Sequence, residues 1–249
     1  MWSGPRNLST ALMYSFAARG DCAVWDEPFY AAYLAKTGLK HPMRDQILAA
    51  GETESDTVAK RCIGQIPQKQ SLFYQKHMCQ HMIPGMPRAW MSDVQNVFLI
   101  RHPARVLASF SKKYEEPTLA DIGFAQQAEL FNVVTDQSGT APIVIDSHDI
   151  RQNPSQTLQM LCAALGINWT ERMLSWPAGG HESDGVWAAH WYGAIHRSTG
   201  FAGAEGALPE LEGHYAEIVD QALPYYERLK AFSLSADDSA LQSGANAKR

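Results

Sequence analysis

Short apolar runs bounded by turn residues alternate along this chain with longer stretches patterned for helices. Ala11, Leu12, Met13 and Phe16 place apolar positions at helical spacing, which predicts a helix from about Leu8 to Ala18 ending near Gly20. Cys22 to Trp25 reads as a short strand that stops at Asp26-Glu27-Pro28. From Phe29 to about Ile66 the pattern breaks into helical pieces separated by Gly38, Pro42 and Gly51, with Thr53 or Ser55 as cap of the last. Ser71 to Gln75 predicts a second strand that breaks into the polar run Lys76 to His81. Val97-Phe98-Leu99-Ile100 is a continuous apolar strand of the kind buried on both faces. It ends at Arg101-His102-Pro103, and Pro103 suits the first turn of a helix running through Tyr114. A long helix over about Leu119 to Thr135 follows. Then come a strand from Pro142 to Asp146 and a helix from Asn153-Pro154 to Leu165, with Gly166 as its stop. Such alternation predicts an α/β fold, a parallel sheet with helices on both faces. Ligands in these sheets bind beyond the carboxyl ends of the strands, where Asp26-Glu27, Lys76-His77 and Arg101 fall.

Composition narrows the function classes. With 249 residues, 45% hydrophobic and 19% charged, the chain has ample material for one large core. We expect a single domain over residues 1–232 and a flexible tail over 233–249, where Ser, Ala, Asp, Gly and Asn dominate. A net charge of −5 leaves no basic excess for a nucleic-acid backbone, so nucleic acid is not an expected partner. No apolar run approaches a membrane span and no secretory pattern opens the chain, so no membrane partner is expected. Four scattered cysteines in a chain of this size point to reduced thiols and a cytoplasmic setting.

The stretch that organises the chemistry is Trp2 to Met13, W-S-G-P-R-N-L-S-T-A-L-M. A turn-prone segment (Ser3, Gly4, Pro5) carries Arg6 and passes through Asn7, Leu8, Ser9 and Thr10 into a helix. Unpaired backbone N–H groups and the positive end of the helix dipole then converge on one point, which makes an anion site. This is not a Walker A loop, because the second Gly and the Lys of G-x-x-x-x-G-K-[ST] are missing. An anion loop of this kind normally follows a buried strand, yet only Met1 and Trp2 precede it. Either that strand is supplied otherwise or the working protein starts earlier, and activity is in question on that account.

A second pair lies downstream: Arg101 at a strand end and Ser109 eight residues later, spaced so that a guanidinium and a hydroxyl meet one phosphate. Together the two segments resemble the sulfotransferase superfamily that uses 3′-phosphoadenosine 5′-phosphosulfate. G-P-R-N-L-S-T (Gly4 to Thr10) is similar to the family loop that holds the 5′-phosphosulfate. V-F-L-I-R-H-P-A-R-V-L-A-S-F (Val97 to Phe110) is similar to its 3′-phosphate motif. K-H-M-C-Q-H-M (Lys76 to Met82) resembles the Lys/His segment near the sulfuryl group, and Ser147 to Ile167 resembles the helical stretch after the fourth strand. H-W-Y-G-A-I-H-R-S-T-G-F (His190 to Phe201) maps weakly onto the loop that closes over the cofactor. The resemblance covers roughly residues 2–175. It implies a P-loop-like three-layer α/β/α fold and transfer of a sulfuryl group to a hydroxyl or amine of a small-molecule acceptor.

On that resemblance Gly4, Pro5, Arg6, Asn7, Leu8, Ser9 and Thr10 would bind the 5′-phosphosulfate, and Arg101 and Ser109 the 3′-phosphate. Arg6 would also meet charge developing on the leaving oxygen, and Lys76 would be a second cation at the bridging oxygen. The base is expected to be Glu27, with Asp26, His77 or His81 as alternatives. No metal is expected; His77-x-Cys79-x-His81 on a loop is not a convincing ligand set. Trp187, His190, Trp191 and Tyr192 are candidates for an acceptor pocket, and His102 reads as a packing residue. Two other classes compete: a non-catalytic adenosine-bisphosphate-binding protein and a P-loop kinase-like phosphotransferase. The latter lacks the Walker Lys and has only Asp146 as a magnesium candidate.

Overall fold

A computed structural model of the chain describes residues 1–112, 114 and 116–235. Its centre is a five-stranded parallel sheet of β1 (Trp2–Ser3), β2 (Cys22–Asp26), β3 (Leu72–Met78), β4 (Val97–Ile100) and β5 (Ile143–Asp146), in the order β2-β3-β1-β4-β5. The strand that the anion loop requires is therefore present, though only two residues long. Trp2 and Ser3 pair with His77 and Met78 on one side and with Phe98 and Leu99 on the other, which makes β1 the middle strand.

Helices cover both faces. They are α1 (Ser9–Ala17), α2 (Tyr30–Thr37), α3 (Arg44–Ala50), α4 (Ser55–Cys62), α5 (Pro103–Phe110) and α6 (Leu119–Ile122). After these come α7 (Phe124–Ser138), α8 (Ser147–Gln152), α9 (Pro154–Ala164), α10 (Ala188–Trp191) and α11 (Gly213–Lys230). Strand alternation sends Val97 and Leu99 into the layer under α1 and α9, while Phe98 and Ile100 enter the layer under α7 and α11. Both faces of β4 are thus dry, which is why its run of four apolar residues is unbroken.

Several local expectations shift. β3 does not break at Lys76 but runs on through Met78, because the lysine charge is neutralised inside the fold rather than carried to solvent. The helix expected over 119–135 is split at Gly123, whose φ of +71° ends α6 and opens α7. Neither Thr53 nor Ser55 caps α4. Glu54 holds that position, and its amide donates to the Glu52 side chain at 2.9 Å. α5 stops at Phe110 rather than Tyr114. α8 falls within the helical stretch expected from the resemblance over Ser147 to Ile167, whereas α11 carries no expectation from the sequence. Asp146 caps α8 by accepting the His148 amide at 2.9 Å and takes the Tyr226 hydroxyl at 2.7 Å. His102 is an N-cap as well, its ring accepting the Ala104 amide at the head of α5.

The tail expected from Ser233 starts against the sheet, Leu234 donating to the Val144 carbonyl at 2.9 Å; its residues 236–249 lie outside the described ones. Among the described residues no helix is long and apolar enough to cross a membrane.

Candidate active site

The loop between β1 and α1 is shaped by close packing and left-handed backbone. A Cβ on Gly4 would stand 2.5 Å from the Ile122 carbonyl oxygen, so only glycine lets the end of α6 approach. Buried Asn7 pins the loop, its side-chain amide donating to the Leu99 carbonyl at 3.2 Å. Arg6 and Leu8 adopt φ of 61° and 72°. Left-handed turns of this kind gather successive backbone N–H groups into a concave anion receptor. Leu8 offers no side-chain cap, which leaves the first-turn donors of α1 to whatever occupies the cavity.

That cavity holds about 340 Å³ and is lined by Pro5 through Thr10 with Glu27, Lys76, Arg101 and Ser109. Gly4 does not line it. Arg6 donates from Nε to the Ser109 hydroxyl at 2.9 Å, and Arg101 donates to the Arg6 carbonyl at 2.5 Å. The loop and the head of α5 therefore meet, and two guanidiniums share one opening. Burial, and then the charge of Arg101, holds Arg6 below its ordinary basicity. Arg101 Nε is buried without a hydrogen-bond partner. Two like charges thus stand at one cavity, an arrangement suited to an anion.

The carboxyl ends of β2 and β3 form the opposite wall. The Lys76 side chain, 2% exposed, donates to Asp26 at 2.8 Å, Glu27 at 2.5 Å and the Tyr192 hydroxyl at 2.7 Å. Tyr192 in turn donates to Asp26 at 2.8 Å and accepts from the Trp187 indole at 3.1 Å. The three ammonium hydrogens of Lys76 are all committed, so meeting a ligand oxygen requires it to release one of these partners. Burial opposes its charge, but the two carboxylates outweigh burial and hold Lys76 well above the usual lysine range.

Glu27 takes a φ of 42°, strained for a non-glycine residue, and its amide donates to the Lys76 carbonyl at 2.9 Å. Burial pushes its carboxyl above the ordinary value; Lys76 opposes that shift and Asp26 adds to it. Of six described non-glycine residues at positive φ, Arg6, Leu8 and Glu27 line this one cavity. Strain concentrated in that way points to function rather than to accident.

The remaining candidates separate by pleat. His77 follows Lys76 on β3 and so points to the other face, stacked on Trp2 at 4.5 Å and away from the cavity. His81 does line the cavity, stacked between Tyr30 and Tyr33 at 4.5 and 4.9 Å. Burial keeps both imidazoles well below their ordinary value, hence neutral. Because the two histidines enter different aromatic clusters, they do not converge on a common ligand position. Among the described residues no group of three His, Cys, Asp or Glu stands ready to hold a metal ion. Trp187, Trp191 and Tyr192 line the cavity and His190 does not. After α10, Ile195, Ser198 and Phe201 also line the cavity.

Sequence reading missed the aromatic wall of Tyr30, Tyr33 and His41. The available signal was the i, i+3 spacing of the two tyrosines on the helix after Glu27.

A family profile described as "Sulfotransferase domain" matches residues 1–233. Two curated relatives from Arabidopsis thaliana are similar to the chain. "Branched-chain-amino-acid aminotransferase-like protein 2" is 36% identical over 229 residues, 92% of this chain and 40% of its own length. "Branched-chain-amino-acid aminotransferase-like protein 1" is 37% identical over 230 residues, 92% of this chain and 41% of its own length. The chain thus spans about two fifths of the relatives it matches. Among solved structures, the sulfotransferase domain from the curacin biosynthetic pathway superposes with a TM-score of 0.52 at 15% identity, covering 88% of this chain and 95% of that one. A profile match over residues 1–233, on a parallel α/β fold, places this chain in the sulfotransferase domain family.

Proposed function

We propose that this protein moves a sulfuryl group from 3′-phosphoadenosine 5′-phosphosulfate to a hydroxyl, or amine, of a small-molecule acceptor. The observation that carries the reading is a single cavity with an anion receptor at one wall and a buried, strained carboxylate at the other. Arg6 and Arg101 fit a doubly phosphorylated donor, because two guanidiniums that repel each other at one cavity gain from a ligand bearing more than one negative charge. In this reading Arg6 and the amides of Asn7 to Thr10 orient the phosphosulfate and stabilise charge that grows on the leaving oxygen. Arg101 and Ser109 hold the 3′-phosphate. Glu27 takes the acceptor proton, and its raised basicity suits that task. Lys76 keeps Glu27 oriented and becomes available to the donor once one of its three bonds is exchanged. The aromatic wall excludes water and packs a small organic acceptor.

Asp146, needed for magnesium in a kinase-like reading, is spent on capping α8 and on Tyr226. Four buried thiols, none in a disulfide, fit a reducing compartment such as the cytoplasm. Calorimetric titration with adenosine 3′,5′-bisphosphate, followed by labelled-sulfate transfer over an acceptor panel, tests the proposal. Binding with transfer supports it; binding without transfer to any acceptor indicates the non-catalytic nucleotide-binding protein; no binding removes the cofactor.

A further inference from the structure

Beside the cavity, three arginines from neighbouring strand ends close on one carboxylate. Arg101 follows β4, Arg105 lies in the first turn of α5, and Arg151 lies in α8 after β5. All three engage Glu205. Arg101 and Arg151 donate to Oε1, the latter at 2.8 Å, and Arg105 Nε stands 3.2 Å from Oε2. The Glu205 side chain is 4% exposed, although it belongs to a segment without helix or strand. The same arginines hold that segment by its main chain: Arg151 donates to the Gly203 carbonyl at 2.9 Å and Arg105 to the Gly206 carbonyl at 2.5 Å. Arg101 belongs to both places, since it also lines the cavity.

We propose that Arg101, Arg105 and Arg151 form a socket for a phosphate monoester, and that Glu205 is an internal anion which fills it until the ligand displaces it. This rests on the sulfotransferase reading for the identity of the ligand, the 3′-phosphate of the donor. Charge and geometry carry the socket itself. One carboxylate brings a single charge and two oxygens to three guanidiniums, and so leaves the cluster under-neutralised. A phosphate monoester brings a charge of about −1.5 to −2 at pH 7 and three acceptor oxygens, each suited to a guanidinium fork. Without any anion, three partly buried guanidiniums would repel one another. Glu205 relieves that state, its own acidity strengthened because the arginines outweigh the effect of burial. The device has a consequence for selectivity. A ligand with only a 5′-phosphate has nothing to offer the socket and leaves Glu205 in place, whereas a 3′,5′-bisphosphate must exchange with it.

The test compares adenosine 3′,5′-bisphosphate with adenosine 5′-monophosphate by calorimetry on the full chain. Glu205→Gln keeps the shape and removes the competing charge. It should tighten the bisphosphate about tenfold and leave the monophosphate within twofold. Arg105→Ala and Arg151→Ala should each weaken the bisphosphate about tenfold and shrink its advantage over the monophosphate. Amide hydrogen exchange at residues 202–207 should speed up when the bisphosphate binds, because the segment loses its anchor. Unchanged or weaker bisphosphate binding by Glu205→Gln, or slower exchange in that segment on binding, overturns the proposal and makes Glu205 a plain structural latch. Should Glu205→Gln fail to fold, Glu205→Asp, with a carboxylate one methylene shorter, must still tighten the bisphosphate. If the wild type binds neither nucleotide, the cofactor reading has failed. Inorganic phosphate then reads the socket alone: tighter phosphate binding by Glu205→Gln supports it, and no gain overturns it.

Discussion

The two walls of the cavity handle charge in opposite ways. At the ends of β2 and β3, Asp26, Glu27, Lys76 and Tyr192 satisfy one another in a buried network that needs nothing from a ligand. At the ends of β1 and β4, Arg6 and Arg101 face each other beside uncapped helix donors, and the nearby Glu205 offsets only part of the positive charge. The first wall is preorganised: its cost was met on folding, and it presents one carboxylate in a fixed, strained pose. In the proposed reaction the second is completed by the phosphates of the donor. A transferase needs both, a rigid base and a receptor whose stability rises with ligand binding.

If the first wall supplies the base, its removal should have the largest effect. Glu27→Gln keeps the shape, so bisphosphate affinity should stay within about twofold while turnover falls by about 10²–10⁴, read by labelled-sulfate transfer. Near-full turnover in that variant, with loss in His81→Ala, would move the base to the histidine. Next, the claim that this wall is self-contained predicts a stability cost when its cation goes. Lys76→Met leaves two buried carboxylates unpaired and should lose about 3–5 kcal/mol in urea unfolding, with part recovered by adding Asp26→Asn. A loss under about 1 kcal/mol would mean that the network is not a buried ion cluster.

For the second wall, Arg6→Ala should cut kcat about 10²-fold while weakening adenosine 3′,5′-bisphosphate by a smaller factor, because charge on the leaving oxygen grows only in the transition state. Equal losses would make Arg6 a mere anchor. The smallest effect concerns pH. As the proposed base, Glu27 would work deprotonated, and its carboxyl lies above the ordinary 4.5, so kcat/KM should rise with pH through a limb above that value. The limb should disappear from the residual activity of Glu27→Gln. The same upward shift means that this group favours the folded state below 4.5 and loses that contribution as pH rises through its folded value.

The local signals in the sequence determined what short-range physics can encode. The Val97–Ile100 run, dry on both faces, and Pro103 behind it fixed a strand and a helix start. The Gly4–Thr10 turn marked a candidate anion loop, and the Arg101-to-Ser109 spacing marked a second phosphate candidate that the fold brings to the same cavity. These features depend on pleat, helical period and steric limits within a few residues, so one chain segment is enough to show them.

Tertiary structure alone decided the rest. Two residues serve as the central strand β1 because β3 and β4 flank them and supply their hydrogen bonds. Lys76 continues a strand instead of breaking it because Asp26, 50 residues away, and Glu27 neutralise it in the interior. The one-residue pleat that brings Lys76 into the cavity turns His77 out of it, a choice of face that sequence proximity does not reveal. Glu205 is the extreme case: a lone acid in a Gly/Ala-rich stretch with no local pattern, it meets Arg101 across 104 residues. Buried charges must find partners wherever the fold brings them, and no periodicity along the chain records that pairing.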